Sequence, residues 1–259
     1  MAYINALPVR KTTSGTVYVH HGSTAKALAI DADIVDICAG PEHCVAIDTS
    51  GRVWTWGCAD HGALGHGDSD GPAVVTALGS VDVAAVSCGW QFTIALSTKG
   101  DLYAWGAFLD KECYAVPMGQ PACINRRTCT YTYDQGVCVD LGIWQAIPAW
   151  VELFRAPPTA GYFHSFATDT NGVVFAWGLN NAIQTGIEQR KPDFVKIPTK
   201  VGNLHDLAIT AAKTHTFVRR EHGMVIAFGT ETTAPLPPIK AIAAGNAFSV
   251  ALADDNCVY

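Results

Sequence analysis

The heptapeptide GRVWTWG at 51–57 returns as GDLYAWG at 100–106, GVVFAWG at 172–178 and GMVIAFG at 223–229. This internal repetition constrains the fold more than any other feature of the chain. A weaker copy, GTVYVHHG, spans 15–22, and DNCVY at 255–259 has the phase of another opening. Each clear copy follows a second recurrent segment: CAGPEHCVAIDTS (38–50), SCGWQFTIALSTK (87–99), TAGYFHSFATDTN (159–171) and TAAKTHTFVRREH (210–222). A fifth such segment, IAAGNAFSVALAD, occupies 242–254. Apolar and polar residues alternate within both segments, which is the period of a strand with one buried face. Ser-Gly, Lys-Gly, Asn-Gly or His-Gly joins them, so each unit reads as a β-hairpin.

Trp56 and Trp105 are 49 residues apart, Trp105 and Trp177 are 72 apart, and Trp177 and Phe228 are 51 apart. A period of roughly 40–50 residues with hairpins and aromatic-glycine marks is that of an all-β fold, the β-propeller. A small sheet cannot bury both faces alone, and blades packed in a ring share one core. A WD-repeat propeller would place Asp after Trp, where this chain has Gly. A kelch propeller would carry Gly-Gly doublets, which are absent. A β-sandwich would not account for the copies. The sequence predicts one propeller domain over 1–259, of about five blades, with a long insert loop at 107–157. The strands at 15–22 and 255–259 share a repeat phase and cannot both be the same strand of one blade. Either one is an additional edge strand, or the ring has a gap that invites a partner or a larger assembly.

Composition narrows the function classes. Of 259 residues, 49% are hydrophobic and 15% charged, enough apolar surface for a sizeable core. The formal charge is −6, and the 17 Lys and Arg do not cluster. Nucleic acid is therefore a disfavoured partner. No window is apolar enough for a signal peptide or a membrane span. Nine cysteines, an odd number, with Cys38, Cys44, Cys88 and Cys257 in strand-like stretches, suit small buried side chains in a reducing compartment. The expected location is intracellular, nucleus or cytoplasm.

The run AGPEHCVAIDTSGRVWTWGCADHGALGHGD (39–68) carries G-x-x-H, then W-G, then a glycine turn. On these paired marks the chain resembles the regulator of chromosome condensation repeat family, shortened and divergent, over about 15–259. The resemblance implies a propeller of that type. The family's founding member has seven blades and exchanges nucleotide on the GTPase Ran through a β-wedge. In this sequence the matching place is AFLDKECYAVPM at 107–118, and Phe108, Leu109 and Asp110 match the wedge's Phe-x-Asp start. Leu109 stands where the family has a basic residue. Such a wedge would press on the phosphate-binding region of the GTPase and stabilise its nucleotide-free state; nucleotide and factor then weaken each other's binding.

The family's GTPase-facing acids and histidines lie in the G-x-x-H loops. Here those loops supply Glu42, His43, Trp90, Gln91, Phe163, His164, Thr214 and His215 as candidate partner contacts. For His43, His164 and His215 a second reading stands beside this one, in which each imidazole bonds into the neighbouring blade and holds the ring together. In the insert, Tyr131, Tyr133, Trp144 and Trp150 are candidate contacts, or they fold back over a blade. Cys113, Cys123, Cys129 and Cys138 lack paired C-x-x-C knuckles, and His61, His66 and the Asp68-Ser69-Asp70-Gly71 run lack metal-site spacing, so no metal and no cofactor is expected. There is no catalytic triad, P-loop or dinucleotide turn. The leading functional reading is a non-enzymatic protein-interaction propeller, a scaffold or regulator. Exchange on a Ran-type GTPase through 107–118 comes second and chromatin binding third.

Overall fold

Register is the first consequence of the repeat. In every full unit the hairpin sets the His or Phe of G-x-x-H opposite the glycine of W-G. His43 pairs with Gly57, Phe92 with Gly106, His164 with Gly178 and His215 with Gly229. The computed structural model describes residues 9–21, 24–59, 62–66, 71–106, 122–123, 154–188, 193–205, 208–229, 236–245 and 249–259. These residues form six antiparallel sheets in chain order.

The first sheet holds β1 (Val9–Lys11), β2 (Val17–His21) and β3 (Thr24–Ala27). The second holds β4 (Ile34–Ala39), β5 (His43–Asp48), β6 (Val53–Gly57) and β7 (Ala73–Val74). The third holds β8 (Val83–Cys88), β9 (Phe92–Ser97), β10 (Leu102–Gly106) and β11 (Ala122–Cys123). In the fourth are β12 (Thr159–Ala160), β13 (His164–Thr168), β14 (Val173–Leu179) and β15 (Phe194–His205). In the fifth are β16 (Ala208–Ala211), β17 (His215–Arg219) and β18 (Val225–Gly229). The sixth has β19 (Ile239–Ala244) and β20 (Ser249–Ala253).

The five G-x-x-H-type segments seed five of these sheets. The remaining one, first in the chain, grows on the weak copy at 15–22, whose partner β1 carries no G-x-x-H mark. The two strands of equal phase belong to different sheets: 17–21 lies in the first, while 257–259 hydrogen-bonds to Ala251 and Ala253 in the sixth. The insert contributes the fourth strand of the third sheet at 122–123. No helix among the described residues is long and apolar enough to cross a membrane.

One packing rule repeats at each seam. Side chains at alternate positions of a sheet point to the next sheet in the chain, and the intervening ones point back. Val17 packs with Ile34, Cys44, Ala46 and Trp56. Val45, Ile47 and Val53 pack with Val86, Ala95 and Trp105. Phe92, Ile94 and Leu96 pack with Ala167 and Trp177, Phe166 and Val174 with Val218 and Phe228, and Val225 with Ile239 and Ala251. Each such side chain stabilises its seam by roughly 1.5–3 kcal/mol. On the sixth sheet, Val250 and Val258 are 40% and 66% exposed, whereas their equivalents Val45 and Val53 are 0% and 1% exposed. Among the described residues, nothing covers that outward face.

The glycines of the two marks are steric requirements. A Cβ on Gly161 of G-x-x-H would sit 2.3 Å from its own His164 ring and 2.6 Å from the carbonyl of Ala212 in the next sheet. Gly178 of W-G has φ +96°, and a Cβ there would lie 2.3 Å from the Phe163 carbonyl. A Gly178→Ala substitution therefore combines a disfavoured backbone with a clash and is expected to cost at least about 2 kcal/mol. Gly71, with nothing within 4 Å of its would-be Cβ, should accept alanine within about 0.5 kcal/mol. Urea denaturation of the two variants measures both; equal stabilities would contradict this account.

Candidate functional site

The G-x-x-H loops connect the first and second strands of successive sheets, so they gather at one end of the stack. The histidines themselves are not on its surface. His43, His164 and His215 are 0%, 0% and 2% exposed. His43 Nε2 lies 2.9 Å from Thr93 Oγ1 in the next sheet, and His164 Nε2 lies 2.8 Å from Thr216 Oγ1. Likewise His215 Nε2 is 3.0 Å from Ser249 Oγ. The hydroxyl passes the bond back: Thr93 donates to the carbonyl of Ala63, and Thr216 to that of Gln184. Each hydroxyl has one proton, already donated, so His43 and His164 must donate from Nε2 and are the Nε2–H tautomer. Trp105 Nε1 donates to the same Ala63 carbonyl at 2.9 Å. The glycine turn after W-G thus receives both the hydroxyl and the indole of the following sheet. These three imidazoles are buried and bond across seams, as in the second of the two readings given for them.

Burial lowers the pKa of His43 from 6.5 to about 4. Burial, assisted by the nearby His215, lowers that of His164 to about 3. Asp48, at the second hairpin turn, behaves oppositely to a simply buried acid. Burial alone would raise its pKa, but hydrogen bonds from Ser50, Trp54 and Arg52 outweigh that and bring it to about 2. Its Oδ2 meets Arg52 Nε at 2.8 Å.

What remains at the loop surface is a belt across four sheets. Gln91 Nε2 donates to Glu42 Oε2 at 3.2 Å, joining the second and third sheets. The Trp90 amide donates to the Tyr162 carbonyl, and the Tyr162 amide to the Ala212 carbonyl, joining the third, fourth and fifth. The Trp90 ring lies 5.2 Å from Tyr162 and 5.3 Å from Phe163. Lys213 Nζ sits 5.8 Å from the Tyr162 ring centroid. Glu42, Trp90, Gln91, Tyr162, Phe163 and Thr214 are half-buried and Lys213 is exposed. Sequence reasoning selected most of these but passed over Tyr162 and Lys213, although both stand directly after the small residue that opens the motif.

Other candidates do not join this belt. Phe108, Leu109 and Asp110, and Tyr131, Tyr133, Trp144 and Trp150, lie outside the described residues. So do His61, Cys113, Cys129 and Cys138. His66 Nε2 is 2.8 Å from Thr55 Oγ1. No group of His, Cys, Asp and Glu among the described residues could hold a metal ion.

The histidine chemistry carries a sign. A folded pKa below 6.5 means the unfolded chain binds more protons between the two values. The stability these groups contribute is complete above about pH 6.5 and is lost as pH falls toward 4 and then 3. His164→Gln keeps a donor for Thr216 but cannot titrate. It is expected to lower stability by about 1–2 kcal/mol at pH 7.5. It should also reduce the acid-side slope of stability against pH by about one proton. Urea titrations across pH 4–8 read both; an unchanged slope would refute the buried neutral imidazole.

The description regulator of chromosome condensation (RCC1) repeat belongs to family models that match residues 50–96, 34–63 and 159–184. The probable E3 ubiquitin-protein ligase HERC6 of Homo sapiens is 29% identical over 226 residues, spanning 80% of this chain and 19% of its own length. The ultraviolet-B receptor UVR8 of Arabidopsis thaliana is 26% identical over 242 residues, spanning 78% and 54%. This chain therefore spans about half or less of these curated relatives. The solved structure of Prp20p from Saccharomyces cerevisiae matches with a TM-score of 0.73 over 97% of this chain and 68% of that one, at 18% identity. With the repeated marks, the six-sheet packing and these matches, the chain carries regulator of chromosome condensation repeats and is a β-propeller of that type.

Proposed function

We propose that this chain is a non-enzymatic protein-binding propeller, a scaffold or regulator, whose contact surface is the belt from Glu42 to Lys213. The observation that carries the reading is the cross-linking of its loops. Half-exposed aromatic rings and both charge signs sit on one end of the stack, fixed by hydrogen bonds between sheets. A surface already rigid before binding loses little conformational freedom on association, and aromatic residues dominate interface energetics. The 107–157 insert is a second contact element of the same reading. Free thiols at Cys38, Cys44 and Cys88 fit a reducing location, nucleus or cytoplasm.

A second reading is nucleotide exchange on a Ran-type GTPase, supported by the Phe108-Leu109-Asp110 match after Trp105-Gly106. Prp20p itself is reported with binding to Gsp1p and histones, which makes a GTPase and chromatin reasonable probes.

Two measurements separate the readings. Release of a fluorescent GDP from Ran should be unchanged by micromolar chain if it is an interaction propeller. Acceleration that disappears in a Phe108→Ala/Asp110→Ala variant would establish the exchange reading instead. In parallel, Trp90→Ala/Phe163→Ala should melt within a few degrees of the wild type, because both rings are half-exposed, yet lose the proteins that the wild type captures. An identical capture profile would remove the belt as the binding surface.

A further inference from the structure

At four of the five seams the first strands of neighbouring sheets are joined by a side chain two residues before the small residue that opens G-x-x-H. Ser87 Oγ accepts the amide of Ala160 at 2.9 Å. Thr159 and Thr210 donate from Oγ1 to the carbonyls of Ile209 and Ile242, at 3.4 and 3.3 Å. Between the second and third sheets this place is taken by Cys38, whose Sγ accepts the amide of Cys88 at 3.0 Å. The residue it meets also differs. Cys88 aligns with Ala39, Ala160, Ala211 and Ala244 at the ends of the other first strands. One seam therefore carries thiols on both sides of a clasp that elsewhere joins a hydroxyl residue to an alanine-bearing strand end.

The Cys38 sulfur thus reaches the backbone of Cys88 itself, and both residues are half-buried. Cys44, the third thiol nearby, is fully buried. Cys38 pairs in register with Val45, and Cys44 with Ala39. Cys38 and Cys44 thus point to opposite faces of their sheet.

We propose that Cys38 and Cys88 form a site of reversible two-electron oxidation, closing a disulfide between the second and third sheets when a peroxide reaches the seam. The Cys38 sulfur, as thiolate, attacks a peroxide oxygen. The O–O bond breaks, Cys38 becomes a sulfenic acid, and hydroxide leaves with a proton as water. The Cys88 sulfur then attacks the sulfenic sulfur. The S–O bond breaks, the S–S bond forms, and the oxygen leaves as water with the thiol proton. Two thiols lose two electrons and two protons, and hydrogen peroxide becomes two waters. Burial pushes the Cys88 thiol well above its ordinary range, which casts it as the resolving partner. A thiol reductant returns both residues to the free state.

The test uses the whole chain and hydrogen peroxide, with free thiols blocked before digestion under non-reducing conditions. A peptide joining Cys38 to Cys88 is expected from the folded protein, absent after dithiothreitol. The oxidised chain should melt about 5 °C or more above the reduced one, since the bridge closes a long loop. Cys88→Ala, which installs the residue found at the other four strand ends, should fold and lose the melting shift. Cys38→Ser, which copies Ser87, should do the same. The proposal is overturned if the linked peptide forms only in denaturant, if Cys38 joins Cys44 instead, or if Cys88→Ala keeps the shift.

Discussion

A threonine hydroxyl placed between an imidazole and a carbonyl is the interaction on which this stack of sheets depends. The hydroxyl has one proton to give and can accept at least one bond. At the seam of the second and third sheets it accepts from His43 and gives to Ala63. Both partners belong to the earlier sheet and the hydroxyl to the later one. A single Thr93 side chain therefore fixes the later sheet against two separate points of its neighbour, a strand end and a turn. Because all three groups are buried, no water competes, and loss of one leaves another unsatisfied. Where the device is absent, the residue of that loss is visible. Phe92 replaces the histidine at the seam of the third and fourth sheets, and the matching hydroxyl, Ser165 Oγ, is buried with no partner among the described residues. That seam is held by aromatic packing instead, with Phe92, Phe154, Phe175 and Trp177 in one cluster.

Two rows of polar contacts thus run across the seams, the imidazole row and the clasp row of the first strands. The G-x-x-H loops lie between them. Their ends are fixed on both sides, which leaves little freedom for the two residues in the middle. This explains how rings as large as Trp90, Tyr162 and Phe163 stay half-exposed without collapsing into the core. The loop backbone that carries them is tied to the next loop by amide-to-carbonyl bonds. Stability of the stack and rigidity of the binding belt have the same origin. A substitution that loosens a seam should disturb recognition without touching the surface.

Much of this was legible in the sequence because the marks are steric. Gly178 admits no side chain, and its place is glycine with positive φ in all four full units, so the W-G mark survives wherever the geometry does. Hairpins and register follow from the alternation and from the glycine pairs. The hydroxyl row was less legible. Thr93, Ser165, Thr216 and Ser249 stand directly after the marked position, yet in an alternating strand a polar residue reads as solvent-facing, and only packing shows that this face is covered by the preceding sheet. The first sheet was harder still, since Val9–Lys11 is a short strand lacking the mark. The belt was half legible: its residue types pointed to recognition, but the adjacency of Tyr162 and Trp90 depends on how one sheet stacks on the next, which no local pattern encodes.

The packing rule also accounts for the uncovered face of the sixth sheet. Val250 and Val258 occupy positions that elsewhere lie in one cluster with an alanine and a tryptophan of the following sheet. Left 40% and 66% exposed, they forgo roughly 1–2 kcal/mol each. Five covered seams outweigh that sum, so the described sheets hold together without it. The same geometry defines what a covering surface would have to be. It would present a small residue and an aromatic one at the spacing of the W-G hairpin, with a hydroxyl beside them. That complementarity is specific to the repeat, and a generic apolar surface would fill the space without satisfying it.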